Sequence, residues 1–165
     1  MFASSGSTRG IPSLGPRGEG WVAIQFILMA AIVGGGFLEP SWPAGVRDVL
    51  RGAGAVLVVA GFVLAVTAVR ALGRSLTPLP LPSTRGGLVQ AGPYRLVRHP
   101  MYGAGLLVFG GYSLLTGVPA LVLTVALAAV WALKSRVEEG WLVTRYPEYA
   151  AFRARTPRRF LPFVW

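Results

Sequence analysis

The residues best suited to chemistry in this sequence lie in two short polar stretches between apolar segments. The first, residues 88–105, reads LVQAGPYRLVRHPMYGAG and contains the single histidine of the chain, His99. Pro93 and Pro100 favour extended backbone in the residues before them, so His99 is predicted to lie just outside a helix that begins at or near Pro100. The first amides of such a helix have no intrahelical partner and favour an electron-rich ligand group. This stretch is therefore predicted to form a ligand site.

Two tyrosines flank His99. Tyr94 and Tyr102 present electron-rich ring faces, which attract a sulfonium or ammonium group and also pack on a purine. Histidine titrates near neutrality when unperturbed, so His99 is the candidate general base. The plainer alternatives are an interfacial histidine and an ordinary aromatic belt.

The second polar stretch is predicted to lie where the last long apolar segment meets water. It contains Lys134, Arg136, Glu138 and Glu139. Lys134 and Glu138 share one helix face, and Glu139 points about 100° further round. We expect Glu138 to bind the ligand and Glu139 to matter less to it. The alternative is a solvated ion pair between Lys134 and Glu138.

Composition places both stretches in a membrane protein. The mean hydropathy of +0.58 and the charged fraction of 13% are unlike those of an ordinary soluble domain. The net charge of +10 fits cytoplasmic loops rich in arginine, so nucleic acid is not expected as a partner. With no cysteine and one histidine, no metal site is expected.

The order of apolar and polar segments predicts an all-α, polytopic integral membrane protein. Residues 1–20 are predicted to form a flexible cytoplasmic tail, and residues 21–165 a single membrane domain. About four transmembrane helices are expected, at 21–38, 49–72, 100–116 and 118–133. The second contains small residues that allow close helix packing: Gly52, Gly54, Gly61 and Ala65.

The connecting segments are predicted to carry the site. Residues 73–99 are too rich in proline and glycine for a helix, and a loop this long is usually functional or disordered. After residue 134 the last helix is expected to leave the membrane and to be followed by an amphipathic tail on the membrane surface. Arginines concentrate in the 73–99 loop and the tail, whereas Arg47 and Arg51 are the basic residues of the opposite face. Both termini, the loop and the site are therefore predicted to be cytoplasmic, in a multi-pass protein of a bacterial inner membrane.

Three separated motifs, covering about residues 72–163, resemble the isoprenylcysteine carboxyl methyltransferase and phospholipid methyltransferase family. The central motif comprises Gly92, Pro93, Tyr94 and residues 97–102, the second comprises Glu138, Glu139 and Leu142, and the third runs from Tyr146 to Pro162. The resemblance implies S-adenosylmethionine as methyl donor. It also implies a lipophilic or small-molecule acceptor (carboxylate, amine or thiol) in contact with membrane lipid.

The resemblance also implies site residues by position. The cofactor contacts would be Leu88, Val89, Tyr94, His99, Pro100, Met101, Tyr102 and Glu138. Lys134 matches a position that is Arg in the prenylcysteine enzymes and is assigned there to substrate. The candidate catalytic residues are His99, Lys134 and Arg136, with Lys134 or Arg136 positioning an anionic acceptor.

Methyl transfer from a sulfonium is an in-line displacement, so the protein mainly has to align the reactants and exclude water. Tyr149, Phe152 and Phe160 are expected to cover the cofactor. A transporter is disfavoured because the predicted spans contain no ionisable residue in mid-membrane. A non-catalytic membrane protein that binds anionic lipid or a partner is the remaining alternative. The sequence does not indicate an oligomeric state.

Overall fold

The fold is all-helical in the part of the chain that the structure, a computed structural model, describes: residues 10–39 and 41–162. The helices are α1 (Glu19–Gly35), α2 (Ala44–Leu72), α3 (Pro100–Thr116), α4 (Val118–Arg145) and α5 (Tyr149–Arg155). Two 3₁₀ turns, Gly73–Ser75 and Gly92–Arg95, lie in the loop between α2 and α3. The all-α prediction is confirmed for these residues.

Proline and glycine set the helix boundaries. Pro100 is the first residue of α3 and His99 lies just outside it, as predicted. Gly73 follows α2 with a φ of 49°, in the left-handed region that glycine enters at little cost. Gly117 separates α3 from α4. α4 continues without a break through residues 134–139, so the second polar stretch is a helical extension, as expected.

Small residues bring α2 and α3 into close contact. A Cβ on Gly54 would lie 2.6 Å from the carbonyl oxygen of Gly111, and one on Gly61 would lie 2.9 Å from that of Ala104. A larger side chain at Gly54 or Gly61 would push the helices apart. Gly52 has nothing within 4 Å of an added Cβ, so it is not part of this contact. On the other side of α3, α1 packs against α4.

Two helical segments in the described residues are long and apolar enough to cross a membrane: Ala44–Ser75 and Val118–Arg145. α1 and α3 have 17 residues each, which is about 26 Å of helix against a hydrocarbon core of about 30 Å. The expected four spans are thus not confirmed. Large apolar side chains point outward on three helices, including Ile27 at 68% exposure, Val56 at 67% and Val125 at 64%. Such a surface suits lipid, which supports membrane association.

The loop between α2 and α3 is anchored by polar contacts. The Ser75 hydroxyl donates to the Gly87 carbonyl at 2.9 Å, and the Ser83 hydroxyl donates to the Arg74 carbonyl at 3.2 Å. Gly18, before α1, packs so closely on Pro80 that an added Cβ would lie 2.6 Å from the ring. The first nine residues of the predicted tail lie outside the described residues. Residues 10–18 form turns beside the loop.

The C-terminal segment packs against the rest of the protein. Tyr149, Phe152 and Phe160 are at most 3% exposed, because the chain after α4 folds back onto the protein. The backbone amides of Arg98 and His99 donate to the carbonyls of Arg158 and Arg159 at 3.0 and 2.7 Å. The tail therefore packs on the protein through these apolar side chains, and its predicted position at the membrane surface stays a prediction.

Candidate functional site

A cavity of about 440 Å³ lies where the loop, the start of α3, the charged end of α4 and α5 meet. This volume is in the range of small-molecule sites. Gln25, Phe26 and Met29 of α1 form part of one wall, and Tyr149 and Phe152 of α5 form part of another. Five regions separated in sequence therefore converge on one cavity.

Most of the predicted site residues line this cavity. They are Leu88, Val89, Tyr94, His99, Met101, Tyr102, Lys134 and Glu138. Pro100 is buried at the start of α3 and does not line it, and Arg136 is exposed on α4 away from it. The structure thus brings together the predicted cofactor contacts except Pro100, together with two of the three predicted catalytic residues.

Glu138 presents its carboxylate to the cavity. The Tyr102 hydroxyl donates to Glu138 Oε2 at 2.8 Å, and His99 Nδ1 lies 3.8 Å from the same oxygen. The Glu138 side chain is 25% exposed. A carboxylate with one neutral donor and partial access retains acceptor capacity for a ligand, since each ionised carboxylate offers about four lone-pair sites.

Glu139 lies behind this surface, in a buried ionic cluster. Its Oε1 accepts from Arg98 Nε at 2.9 Å, lies 3.1 Å from His99 Nε2 and is 3.5 Å from Arg159 Nε. The Arg98 guanidinium also donates to the carbonyls of Thr156 and Pro157 at 2.7 and 2.6 Å. Because Glu139 does not line the cavity, it has no direct ligand contact to make. It matters instead to the orientation of His99 and to the attachment of the C-terminal segment.

Lys134 and Glu138 do not form an ion pair with each other. The structure therefore does not support the alternative in which these two residues are only a solvated ion pair. Its ammonium donates to Gln25 Oε1 at 2.5 Å and to the Pro78 carbonyl at 2.8 Å, and the side chain is buried. The ammonium lies 5.5 Å from the centroid of the Tyr102 ring. Lys134 is therefore fixed between α1 and the loop, and its charge faces the cavity.

Aromatic rings pack beneath the charged groups of Glu138 and Lys134. The Tyr102 ring stacks on His99 at a centroid distance of 5.5 Å and on Trp131 at 5.4 Å. Phe160 meets Tyr102 edge-on at 5.9 Å. An added Cβ on Gly103 would overlap the Phe160 carbonyl oxygen, so only glycine lets the C-terminal segment approach α3 this closely. The Tyr102 ring is therefore packed against three aromatic side chains.

Two buried phenols complete the wall. Burial, together with the nearby Glu138 carboxylate, raises the pKa of Tyr94, and burial also raises the pKa of Tyr149. Both groups therefore stay neutral at physiological pH. The Tyr149 hydroxyl is buried and has no hydrogen-bond partner within residues 10–39 and 41–162. An unpaired buried hydroxyl is costly, and this one belongs to a cavity-lining side chain.

Three residues that shape the site were not predicted as ligand contacts or catalytic residues. Gln25 orients Lys134, and Arg98 and Glu139 form the ionic cluster. In the sequence, Gln25 stands out only as a single amide side chain within an otherwise apolar span. Arg98 belongs to the central motif, but its burial depends on contacts with residues more than 40 positions away along the chain.

This arrangement suits a ligand that has both a cationic group and a planar aromatic ring. Glu138 offers a carboxylate to an ammonium group, and the faces of Tyr94 and Tyr102 suit a cation or a planar base. Leu88, Val89 and Met101 supply apolar contact. Lys134 adds a cation for an anionic group.

Comparison with known proteins indicates the family of the chain. The family model for phospholipid methyltransferase matches residues 50–149 of the chain. The cobalt-zinc-cadmium resistance protein CzcN of Cupriavidus metallidurans is 39% identical over 75 residues, which cover 44% of this chain and 35% of that protein. The chain thus matches about a third of the length of this relative. The family match ends at the first residue of α5 and excludes α1.

Proposed function

We propose that this chain, which belongs to the phospholipid methyltransferase family, transfers a methyl group from S-adenosylmethionine to a lipophilic or small acceptor at a membrane. The observation that carries this proposal is the convergence of the motif residues on one cavity. That cavity combines the Glu138 carboxylate, the Lys134 ammonium and the rings of Tyr94 and Tyr102.

The residues present fit the donor. When bound, S-adenosylmethionine supplies a methyl group activated by a sulfonium. Glu138 accepts from the donor's ammonium, and the Tyr94 and Tyr102 rings pack against its cationic or purine part. The unpaired Tyr149 hydroxyl supplies one further hydrogen bond. Pro100 acts indirectly, because it fixes the start of α3 and thereby the position of His99.

Two side chains act on the acceptor. Lys134 orients an anionic group, and His99 removes the proton that an amine or thiol loses on methylation. Glu139 lies 3.1 Å from His99 Nε2, so an Nε2–H donated to this carboxylate leaves Nδ1 as the basic nitrogen. A carboxylate acceptor is already ionised at neutral pH and needs no base.

Exclusion of water is assigned to α5 and the segment that follows it. Tyr149 and Phe152 line the cavity, and Phe160 supports Tyr102 from behind. A site closed in this way keeps the reactants aligned and keeps competing water away from the methyl group.

The topology proposed with this function has four membrane-spanning helices, with both termini and the cavity on the cytoplasmic side of a bacterial inner membrane. The arginine distribution supports it. Reporter fusions at Ser83 and at the C-terminus should report cytoplasm, and a fusion at Pro43 should report the exterior. A cytoplasmic signal at Pro43 would contradict this topology.

The activity is tested with methyl-tritiated S-adenosylmethionine and acceptors that share one dodecyl chain. Purified protein in liposomes is given dodecanoate, dodecylamine or dodecanethiol, and tritium in the organic phase is measured. We expect transfer to one of the three, and loss of transfer in Glu138→Gln. If no acceptor is methylated and the protein does not bind S-adenosylhomocysteine, the proposal fails in favour of a lipid-binding protein without catalysis.

A further inference from the structure

Gln25 is a polar side chain of α1 that reaches the cavity. It is 7% exposed, and its Oε1 accepts from Lys134 Nζ at 2.5 Å and from Trp131 Nε1 at 3.2 Å. α1 precedes residues 50–149, the part that matches the family. This contact therefore adds to the site an element from outside the family match.

The hydrogen bonds of Lys134 do not neutralise its positive charge. A lysine ammonium has three N–H donors, and the two acceptors it meets in the described residues, Gln25 Oε1 and the Pro78 carbonyl, are both neutral. No carboxylate of residues 10–39 or 41–162 lies within 4 Å of it. The Glu138 carboxylate on the same cavity attracts this ammonium without touching it. A buried cation with no carboxylate in direct contact is costly, so one held in this way at a cavity wall favours an incoming anion.

We propose that Gln25 is a positioning residue, which holds Lys134 at the cavity wall without neutralising it, so that Lys134 binds an anionic group of the acceptor. The inference rests on the proposed function for the identity of the bound molecule. Its essential point is that an uncharged amide is required at residue 25. A carboxylate of the same shape would keep both hydrogen bonds and would cancel the charge.

The decisive variant is Gln25→Glu, because it keeps both hydrogen bonds and cancels the charge that Lys134 is proposed to present to the acceptor. If the Lys134 charge takes no part in acceptor binding, glutamate accepts from Lys134 and Trp131 equally well and anion binding does not change. If Gln25 keeps Lys134 available, glutamate abolishes anion binding while the protein stays folded. Gln25→Leu removes the acceptor altogether, and Ala30→Leu on the exposed side of α1 is the matched control.

The measurement is the preference for an anion over a neutral molecule of the same length. Dodecanoate and dodecanol are titrated by calorimetry into protein saturated with S-adenosylhomocysteine, and affinity for the latter is measured separately. Wild type and Ala30→Leu should prefer dodecanoate by roughly 10- to 150-fold, the range for a hydrogen bond to a charged group. Gln25→Glu should lose this preference and keep wild-type affinity for dodecanol and S-adenosylhomocysteine.

The outcomes test the role of Gln25 and the identity of the donor separately. A Gln25→Glu variant that keeps the anion preference overturns the positioning role, and so does a wild type without a preference. If Gln25→Leu fails to fold, Gln25→Glu still decides the question. Wild type that prefers dodecanoate but does not bind S-adenosylhomocysteine refutes the proposed donor, while the comparison of dodecanoate with dodecanol still tests Gln25.

Discussion

Consecutive glutamates on α4 belong to two different regions of the site. Glu138 faces the cavity, is 25% exposed and accepts from one neutral hydroxyl. Glu139 is 4% exposed and lies among Arg98, His99 and Arg159. A rotation of about 100° per residue therefore separates a carboxylate that faces the cavity from one that belongs to a buried ionic cluster. The comparison teaches that neighbouring acids in a motif need not share a role.

Substitution of Glu139 is expected to have the largest effect, a loss of folding stability. Glu139→Leu leaves the Arg98 guanidinium buried without its counter-charge, so the free energy of unfolding should fall by about 3–5 kcal/mol. Thermal melting in detergent measures this loss. The double variant Arg98→Met/Glu139→Leu is the control and should recover part of the stability. A single variant that melts like wild type would show that the ionic cluster contributes nothing.

Glu138 should affect binding and leave stability unchanged. Glu138→Gln loses a charge-assisted hydrogen bond of about 1.5–3 kcal/mol, so affinity for S-adenosylhomocysteine should fall roughly 10- to 150-fold. Calorimetry measures the affinity, and melting checks the fold. Unchanged affinity with normal melting would make Glu138 a surface residue, whose interactions contribute about 0–1 kcal/mol.

Tyr149 tests whether α5 contacts the ligand. Tyr149→Phe removes a hydroxyl that has no protein partner in the described residues, so the folded protein should be as stable as wild type or more stable. Affinity for S-adenosylhomocysteine should fall by roughly 2- to 12-fold, the range for a neutral hydrogen bond. Equal affinity in both proteins would remove Tyr149 from the ligand contacts.

Arg136 should have the smallest effect. Its side chain is exposed and lies away from the cavity, so Arg136→Ala should change stability by less than about 0.5 kcal/mol. The rate of methyl transfer should equal that of wild type. A tenfold loss of rate in the tritium assay would show that Arg136 contributes to the acceptor site, as the sequence predicted.

Local rules predicted the parts of the site that depend on neighbouring residues. Pro100 predicted where α3 begins, and the spacing of Lys134 and Glu138 placed both on the face that lines the cavity. Contacts between distant segments were beyond these rules. Gln25 and Lys134 are 109 residues apart, and the burial of Glu139 depends on Arg98, 41 residues earlier. Neither pairing leaves a periodic pattern in the sequence.

Helix type was easier to predict than helix environment. The apolar segments predicted four helices, and all four are present. Their apolar composition does not distinguish contact with lipid from contact with protein. The same ambiguity applies to the tail, since Phe152 and Phe160 suit a membrane surface as well as the protein interior in which they lie.

The most direct test of the central claim is an experimental structure of the protein with S-adenosylhomocysteine in detergent or nanodiscs. We expect the ligand to lie in the cavity between the loop, α3, α4 and α5, with its amino group at hydrogen-bond distance from Glu138 and its adenine or sulfur against Tyr94 or Tyr102. Glu139 should remain bonded to Arg98 behind it. Ligand bound elsewhere, or a ligand contacted by Glu139 in place of Glu138, would contradict the account.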